Sequence, residues 1–216
     1  MMKKIIWAAL VLFLFNGAVS GIAQAKEYKE GTEYTRVSQQ PTENESKVEV
    51  LEFFWYGCPH CYQFEPVLSR WLTTRPANVE FIRVPAVFRP EWKVHARTYY
   101  ALQVMGLGEK LHTAIFKEIQ EKKKRLDTEE AMTKFVVEQG VNKNEFTETY
   151  NSFSIDNMMR KAIKKLEAYK IRGVPAMAVN GKYVVSGPSA GSYENMMRIV
   201  DYLISKESTA ASAVTK

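Results

Sequence analysis

Residues 53–62 read FFWYGCPHCY and contain both cysteines of the chain, Cys58 and Cys61, separated only by Pro59 and His60. The stretch is a junction between two kinds of sequence. Residues 48–55 (VEVLEFFW) are β-branched and aromatic, the composition of a buried strand, and they run directly into Gly57. Pro59 suits the first position of a helix, where its missing N–H leaves no hydrogen bond unmade, and Phe64, Val67, Leu68 and Trp71 then recur at helical spacing. The cysteines are therefore expected at the start of a helix that follows a strand.

Three chemistries compete for two cysteines so placed. A structural zinc site needs four ligands, and His60, His95 and His112 give the pair no finger-like spacing, so no metal is expected. A purely structural disulfide between Cys58 and Cys61 would close a very short loop, worth only about 2 kcal/mol by chain entropy, against roughly 3 for fifteen residues. Thiol–disulfide exchange fits position by position. The attacking cysteine must be a reachable thiolate, and its partner must lie close enough to resolve a mixed disulfide. Cys58, at the helix edge, faces unpaired N–H groups and the positive end of the dipole, and His60 adds a donor, with positive charge when protonated. Cys61, one turn in, points into the helix packing. These positions make Cys58 the nucleophile and Cys61 the resolving thiol.

The same C-x-x-C means different things in oxidising and reducing surroundings. Lys3 and Lys4 precede an apolar run over 5–15 and an A-x-A site at Ala23-Gln24-Ala25, the pattern of a secretory signal peptide over 1–25, cleaved after Ala25. As helix the run spans about 16 Å, half a hydrocarbon core, so it does not read as an anchor. Export of a soluble mature chain is expected. Lys and Arg number 30 against 24 acids, a mild excess that shrinks once the leader is removed. The densest basic run, 122–125, is flanked by Glu118, Glu121 and Asp127, as on a solvated helix face, and no nucleic-acid motif accompanies it.

Working outward, residues 26–47 read as polar and irregular with a short strand near 34–37, and 79–87 as a second core strand with Pro85 near its end or at an edge. From Arg89 the texture turns helical: 92–105, 111–123, a helix capped by Thr128 that ends at Gly140, and 144–150. A further helix spans 155–169 with Ser154 as its cap. Asn180-Gly181 between 175–179 and 182–185 predicts a hairpin, followed by a loop over 187–191, a last helix over 192–204 and a disordered tail over 207–216. A β-α-β half (26–88) and an α-β-β-α half (154–206) are thus separated by an all-helical insertion (89–153).

VEVLEFFWYGCPHCYQFEP, followed much later by YKIRGVPAMAVNGKY and with NSF at 151–153, resembles the DsbA family of periplasmic thiol–disulfide oxidoreductases over nearly the whole mature chain. The resemblance implies an α/β thioredoxin fold, a central mixed sheet flanked by helices, with an inserted all-helical domain. It implies a cis bond before Pro175 that brings Val174 and Pro175 beside Cys58, where the Val174 backbone can pair with an extended client strand. It also implies a buried acid below the disulfide. Glu52 occupies that position, and an acid in a strand apolar on both faces is costly without a role, so Glu52 is the expected proton acceptor and donor for Cys61. Trp55 and Tyr56, at the strand's exit, are candidates for a client-facing apolar surface, whereas His95 and His112 read as ordinary helix residues.

The expected activity is that of a thiol:disulfide oxidase without cofactor. Its partners would be newly translocated, unfolded cysteine-containing proteins and, by resemblance, the membrane quinone reductase DsbB; a periplasmic monomer is expected. An isomerase or reductase is the nearest rival, but the short segment before the first core strand leaves no room for a dimerisation domain. A non-enzymatic chaperone for unfolded chains is the rival from another class.

Overall fold

The computed structural model describes residues 26–214, with side chains to residue 209. The expected signal peptide, 1–25, lies outside the described residues. The elements are β1 (Thr35–Arg36), β2 (Val48–Phe54), α1 (Pro59–Thr74), β3 (Val79–Pro85), a 3-10 turn (Pro90–Trp92), α2 (Lys93–Val104), α3 (Gly108–Gln120), α4 (Glu129–Glu138), α5 (Lys143–Tyr150), α6 (Phe153–Ala168), β4 (Ala176–Val179), β5 (Tyr183–Ser186), α7 (Gly187–Ala190) and α8 (Tyr193–Val214).

The five strands form one sheet in the order β1-β5-β4-β2-β3, with β2 and β3 parallel and the other pairs antiparallel. β2 pairs on both sides and all seven of its residues are buried. Val48 and Val50 pack on one face with Phe64 and Leu68 of α1 and Val200 of α8. Leu51 and Phe53 pack on the other with Ala162 and Leu166 of α6. This is why, Glu49 and Glu52 aside, the strand is apolar on both faces rather than alternating. A separate core joins α2 to α5 through Leu102, Ile115, Phe116, Met132 and Phe146, and Phe54, Tyr56, Cys58 and Cys61 belong to it. The strand that delivers the cysteines therefore ends inside the helical insertion, at the junction of two cores. The arrangement is the expected thioredoxin fold carrying a helical insertion.

Several local expectations change. α6 begins at Phe153, not 155, because Ser152 rather than Ser154 is extended and accepts from the Ile155 N–H. Its Ile155 and Met159 pack in the helical core while Ala162 and Leu166 lie on the sheet, so one helix crosses the expected domain boundary. Residues 187–190 are not loop but the short helix α7, started by a reciprocal Ser186–Ser189 cap and ended by Gly191 at φ 76°. The tail expected to be disordered from 207 instead continues α8 to Val214. Glu207 explains this: it is buried and accepts from Asn180 Nδ2 at 2.6 Å and from Lys182 Nζ, pinning the helix to the β4–β5 turn. That turn is as expected, with Asn180 at φ 49° and Gly181 at φ 70°. A Cβ on Gly181 would also collide with the Gln40 carbonyl. Among the described residues no helix is long and apolar enough to cross a membrane.

Candidate active site

The chain leaves β2 through Trp55, Tyr56 and Gly57 and turns tightly, the Cys58 N–H donating to the Trp55 carbonyl at 2.9 Å. Gly57 is required here, since a Cβ would overlap the Trp55 ring. Cys58 is the N-cap of α1 in extended conformation, with no side chain supplying a cap and Pro59 opening the first turn, as expected. Its sulfur takes the place a capping oxygen would have, where free N–H groups favour an anion.

The two thiols differ sharply. Cys58 is 8% exposed and Cys61 fully buried. The Cys58 thiol is held down to about 6, first by the hydrogen bond its sulfur receives from Cys61, against the opposing effect of burial, then by the Cys61 and His60 backbone N–H groups and the His60 charge. Burial first, and then Cys58 itself, push Cys61 well up. One cysteine is therefore an accessible thiolate near neutral pH and its neighbour a shielded thiol. His60 is exposed and its Nδ1 lies 3.3 Å from the Tyr193 hydroxyl at the start of α8.

Val174–Pro175 is a cis peptide, and the Cys58 thiol donates to the Val174 carbonyl at 3.4 Å. The loop that holds them also walls a cavity of about 760 Å³ that reaches His60, Pro188 and Tyr193. An extended chain lying along this loop would meet the reactive sulfur and a backbone edge together.

Glu52 is fully buried, and its Oε2 accepts from Arg83 Nε at 2.9 Å while Oε1 has no partner among the described residues. Burial, reinforced by the nearby Glu65 charge and opposed by Arg83, pushes its carboxyl up to about 8, and its charge is felt at Cys61. A group so poised can hold or release a proton near neutral pH beside a buried thiol. Arg83 also reaches Glu65 at 3.5 Å and Glu109 at 3.1 Å, and Glu65 in turn lies 3.3 Å from His112 Nε2.

Two expectations need correction. Tyr56 is not client-facing: it is 1% exposed, with its hydroxyl 3.0 Å from His112 Nδ1 and its carbonyl accepting from Gln120 Nε2 at 2.8 Å. Its neighbour Trp55 is partly exposed and stacks on Trp92 at 3.8 Å, with Phe88 against the far ring, so the apolar surface is shared with the insertion. His112 is not an ordinary helix residue either, since both ring nitrogens are engaged in the network beneath the motif. Sequence reasoning missed Arg83, Glu65 and His112. Arg83 had a signal: it stands in register with Glu52 on the parallel neighbour β3, an acid and a base in two apolar strands.

The model of the DSBA-like thioredoxin domain family matches residues 82–196. The thiol:disulfide interchange protein DsbA of Pseudomonas aeruginosa is 46% identical over 190 residues, 88% of this chain and 90% of that one. The protein of the same description from Azotobacter vinelandii is 41% identical over 214 residues, 97% and 100% of the two chains. The crystal structure of Pseudomonas aeruginosa DsbA matches with a TM-score of 0.83 at 45% identity, covering 86% of this chain and 97% of that one. The oxidoreductase NmDsbA1 from N. meningitidis matches with a TM-score of 0.75 at 28% identity, covering 85% and 96%.

Proposed function

The chain belongs to the DsbA family of thiol:disulfide oxidoreductases, enzymes that exchange disulfides with cysteine-containing proteins, and from that premise we propose that it works as an oxidase through a mixed disulfide at Cys58. The observation that carries this reading is the contrast between the two sulfurs, Cys58 held down to about 6 at the helix edge and Cys61 buried and pushed up.

A client thiolate attacks the Cys58 sulfur of the oxidised enzyme, forming the client–Cys58 bond and breaking the bond to Cys61. Cys61 leaves as a thiolate and takes a proton, for which buried Glu52 is the donor. The client's second thiolate then attacks its own bridged sulfur, closing the client disulfide and expelling Cys58 as a thiolate. Two electrons pass from client to enzyme. A sulfur of low pKa is the better leaving group, so the second step and the net transfer both favour oxidation of the client. The Val174 backbone beside Cys58 suits pairing with an extended chain, which makes little demand on client sequence. The enzyme acts as a monomer in the periplasm on newly exported, unfolded proteins, and the membrane quinone reductase DsbB restores its disulfide.

The test is the equilibrium of Cys58–Cys61 with glutathione, together with trapping. An oxidising equilibrium and accumulation of client adducts through Cys58 in the Cys61→Ala variant are expected. An enzyme that stays oxidised in excess reduced glutathione would make it a reductase or isomerase. A Cys58→Ser variant that still supported oxidative refolding would make it a chaperone.

A further inference from the structure

Most of the network beneath the motif serves Glu52, but one member faces the other way. His112, on α3 of the helical insertion, is 3% exposed and lies among the rings of Phe54, Phe116 and Tyr99, at centroid distances of 5.2, 5.1 and 6.3 Å. A histidine in such surroundings is expensive unless both nitrogens are matched. They are. The Tyr56 hydroxyl donates to Nδ1 at 3.0 Å, and in that tautomer the Nε2–H points to Glu65 Oε1 at 3.3 Å.

The partners matter more than the bonds. Tyr56 stands two residues before Cys58, and Glu65 stands four residues after Cys61 on the same helix, so one imidazole brackets the whole motif. α3 holds Tyr56 at a second point, because Gln120, two turns beyond His112, donates to the Tyr56 carbonyl at 2.8 Å. The turn that aims the Cys58 sulfur at the first N–H groups of α1 is thus fixed from the insertion, and nothing in β2 itself supplies these contacts.

We propose that His112 is a positioning residue for the dithiol: by tying Tyr56 to Glu65 it fixes the turn before Cys58 against the active-site helix, and so sets how strongly the Cys58 thiolate is favoured. The helical insertion then has a part in the redox chemistry as well as a wall of the site. The charged and titratable groups around the ring are Glu65 on α1, Arg83 on β3, Glu109 on its own helix, Tyr56 before the motif and Tyr99 on α2. His112 itself stays neutral, since burial pulls its pKa down against the opposing bond to Glu65.

The inference rests on the oxidase reading, and the test separates the two. Wild-type equilibrium with glutathione tests the oxidase; the difference between wild type and variants tests His112. His112→Phe keeps the ring volume and removes both hydrogen bonds. It should fold, raise the Cys58 pKa in a thiolate absorbance titration, and make the enzyme about three- to tenfold less oxidising, as half a unit to one unit of thiolate pKa would. Tyr56→Phe, which removes only the donor to Nδ1, should shift both quantities the same way by less, and it decides the matter should His112→Phe fail to fold. Folded variants whose Cys58 titration and glutathione equilibrium match wild type, whatever their melting temperature, would overturn the proposal and leave His112 a packing residue.

Discussion

Reducing the Cys58–Cys61 bond sets two opposing terms against each other in stability, and the structure supplies the size of one. The disulfide constrains the unfolded chain only slightly, by about 2 kcal/mol for so short a loop. In the reduced protein the Cys58 thiol titrates at about 6 when folded, against an unfolded value near 8.5. For a depressed acid the stabilisation is complete above the unfolded pKa and vanishes as pH falls through the folded one. At pH 7 one unit of it is realised, about 1.4 kcal/mol, and screening at a sulfur close to the surface trims that to roughly 1. At pH 5 it is close to zero. Glu52 and Arg83 are common to both redox forms and cancel in the difference.

The oxidised form should therefore be more stable by about 2 kcal/mol at pH 5 and by about 1 at pH 7, with parity near pH 8. Buried Cys61, pushed up, favours the folded state only below its unfolded pKa, and that contribution is lost at higher pH. Urea titrations followed by fluorescence of Trp55, Trp71 and Trp92 read the difference, since 1 kcal/mol moves a midpoint by about 0.3 to 1 M. A gap between the two forms that stayed constant from pH 5 to pH 8 would refute the reasoning, because no thiolate could then be stabilised at Cys58.

Three more outcomes follow from the same geometry. His60→Ala should weaken the oxidant by about two- to fivefold, under 1 kcal/mol, because the His60 charge is the least of the influences on Cys58; a glutathione equilibrium unchanged within error would leave the helix terminus and Cys61 as the whole cause. Arg83→Met strands the buried Glu52 and should cost about 3 kcal/mol at pH 7. That loss should grow from pH 5 to pH 8, since a carboxyl with a raised folded pKa is ionised first in the unfolded chain, and a loss independent of pH would show that Glu52 is not the group left unpaired. Truncation after Lys206 should lower stability by about 1 to 2 kcal/mol by removing the Glu207 acceptor from Asn180 and Lys182, and an unchanged melting temperature would make the tail helix idle.

The sequence disclosed the parts of this site whose chemistry is local. Cys58, Pro59 and Cys61 needed only the strand-to-helix transition around them, and Asn180-Gly181 needed only its own backbone preference. The cis bond before Pro175 and its place beside Cys58 came from family resemblance, because no periodicity connects residue 174 to residue 58. What stayed hidden depends on register and on long-range packing. Arg83 is buried among apolar neighbours only because β3 aligns it with Glu52, and a one-residue slip would have turned it to the other face. His112 sits on an amphipathic helix among buried Leu111, Ile115 and Phe116, and nothing in that stripe says that Tyr56 lies opposite. Tyr56 was misplaced for a related reason: a residue at a strand's exit is normally at the surface, but here the insertion covers the exit. The tail misled by composition, since its polar residues hide the one buried carboxylate that anchors it.

The sheet's two margins also bear on what such an enzyme can safely touch. One margin is β1, two residues long; the other is β3, which carries Glu80 and Arg83 and stops at Pro85. An enzyme that handles unfolded polypeptides meets chains ready to add themselves to any open ladder of amides, and a long apolar margin would collect them into aggregates. A two-residue strand offers almost no template, while charge and a proline interrupt the other. If clients pair at Val174 as proposed, capture would be confined to that short backbone stretch, beside the Cys58 sulfur.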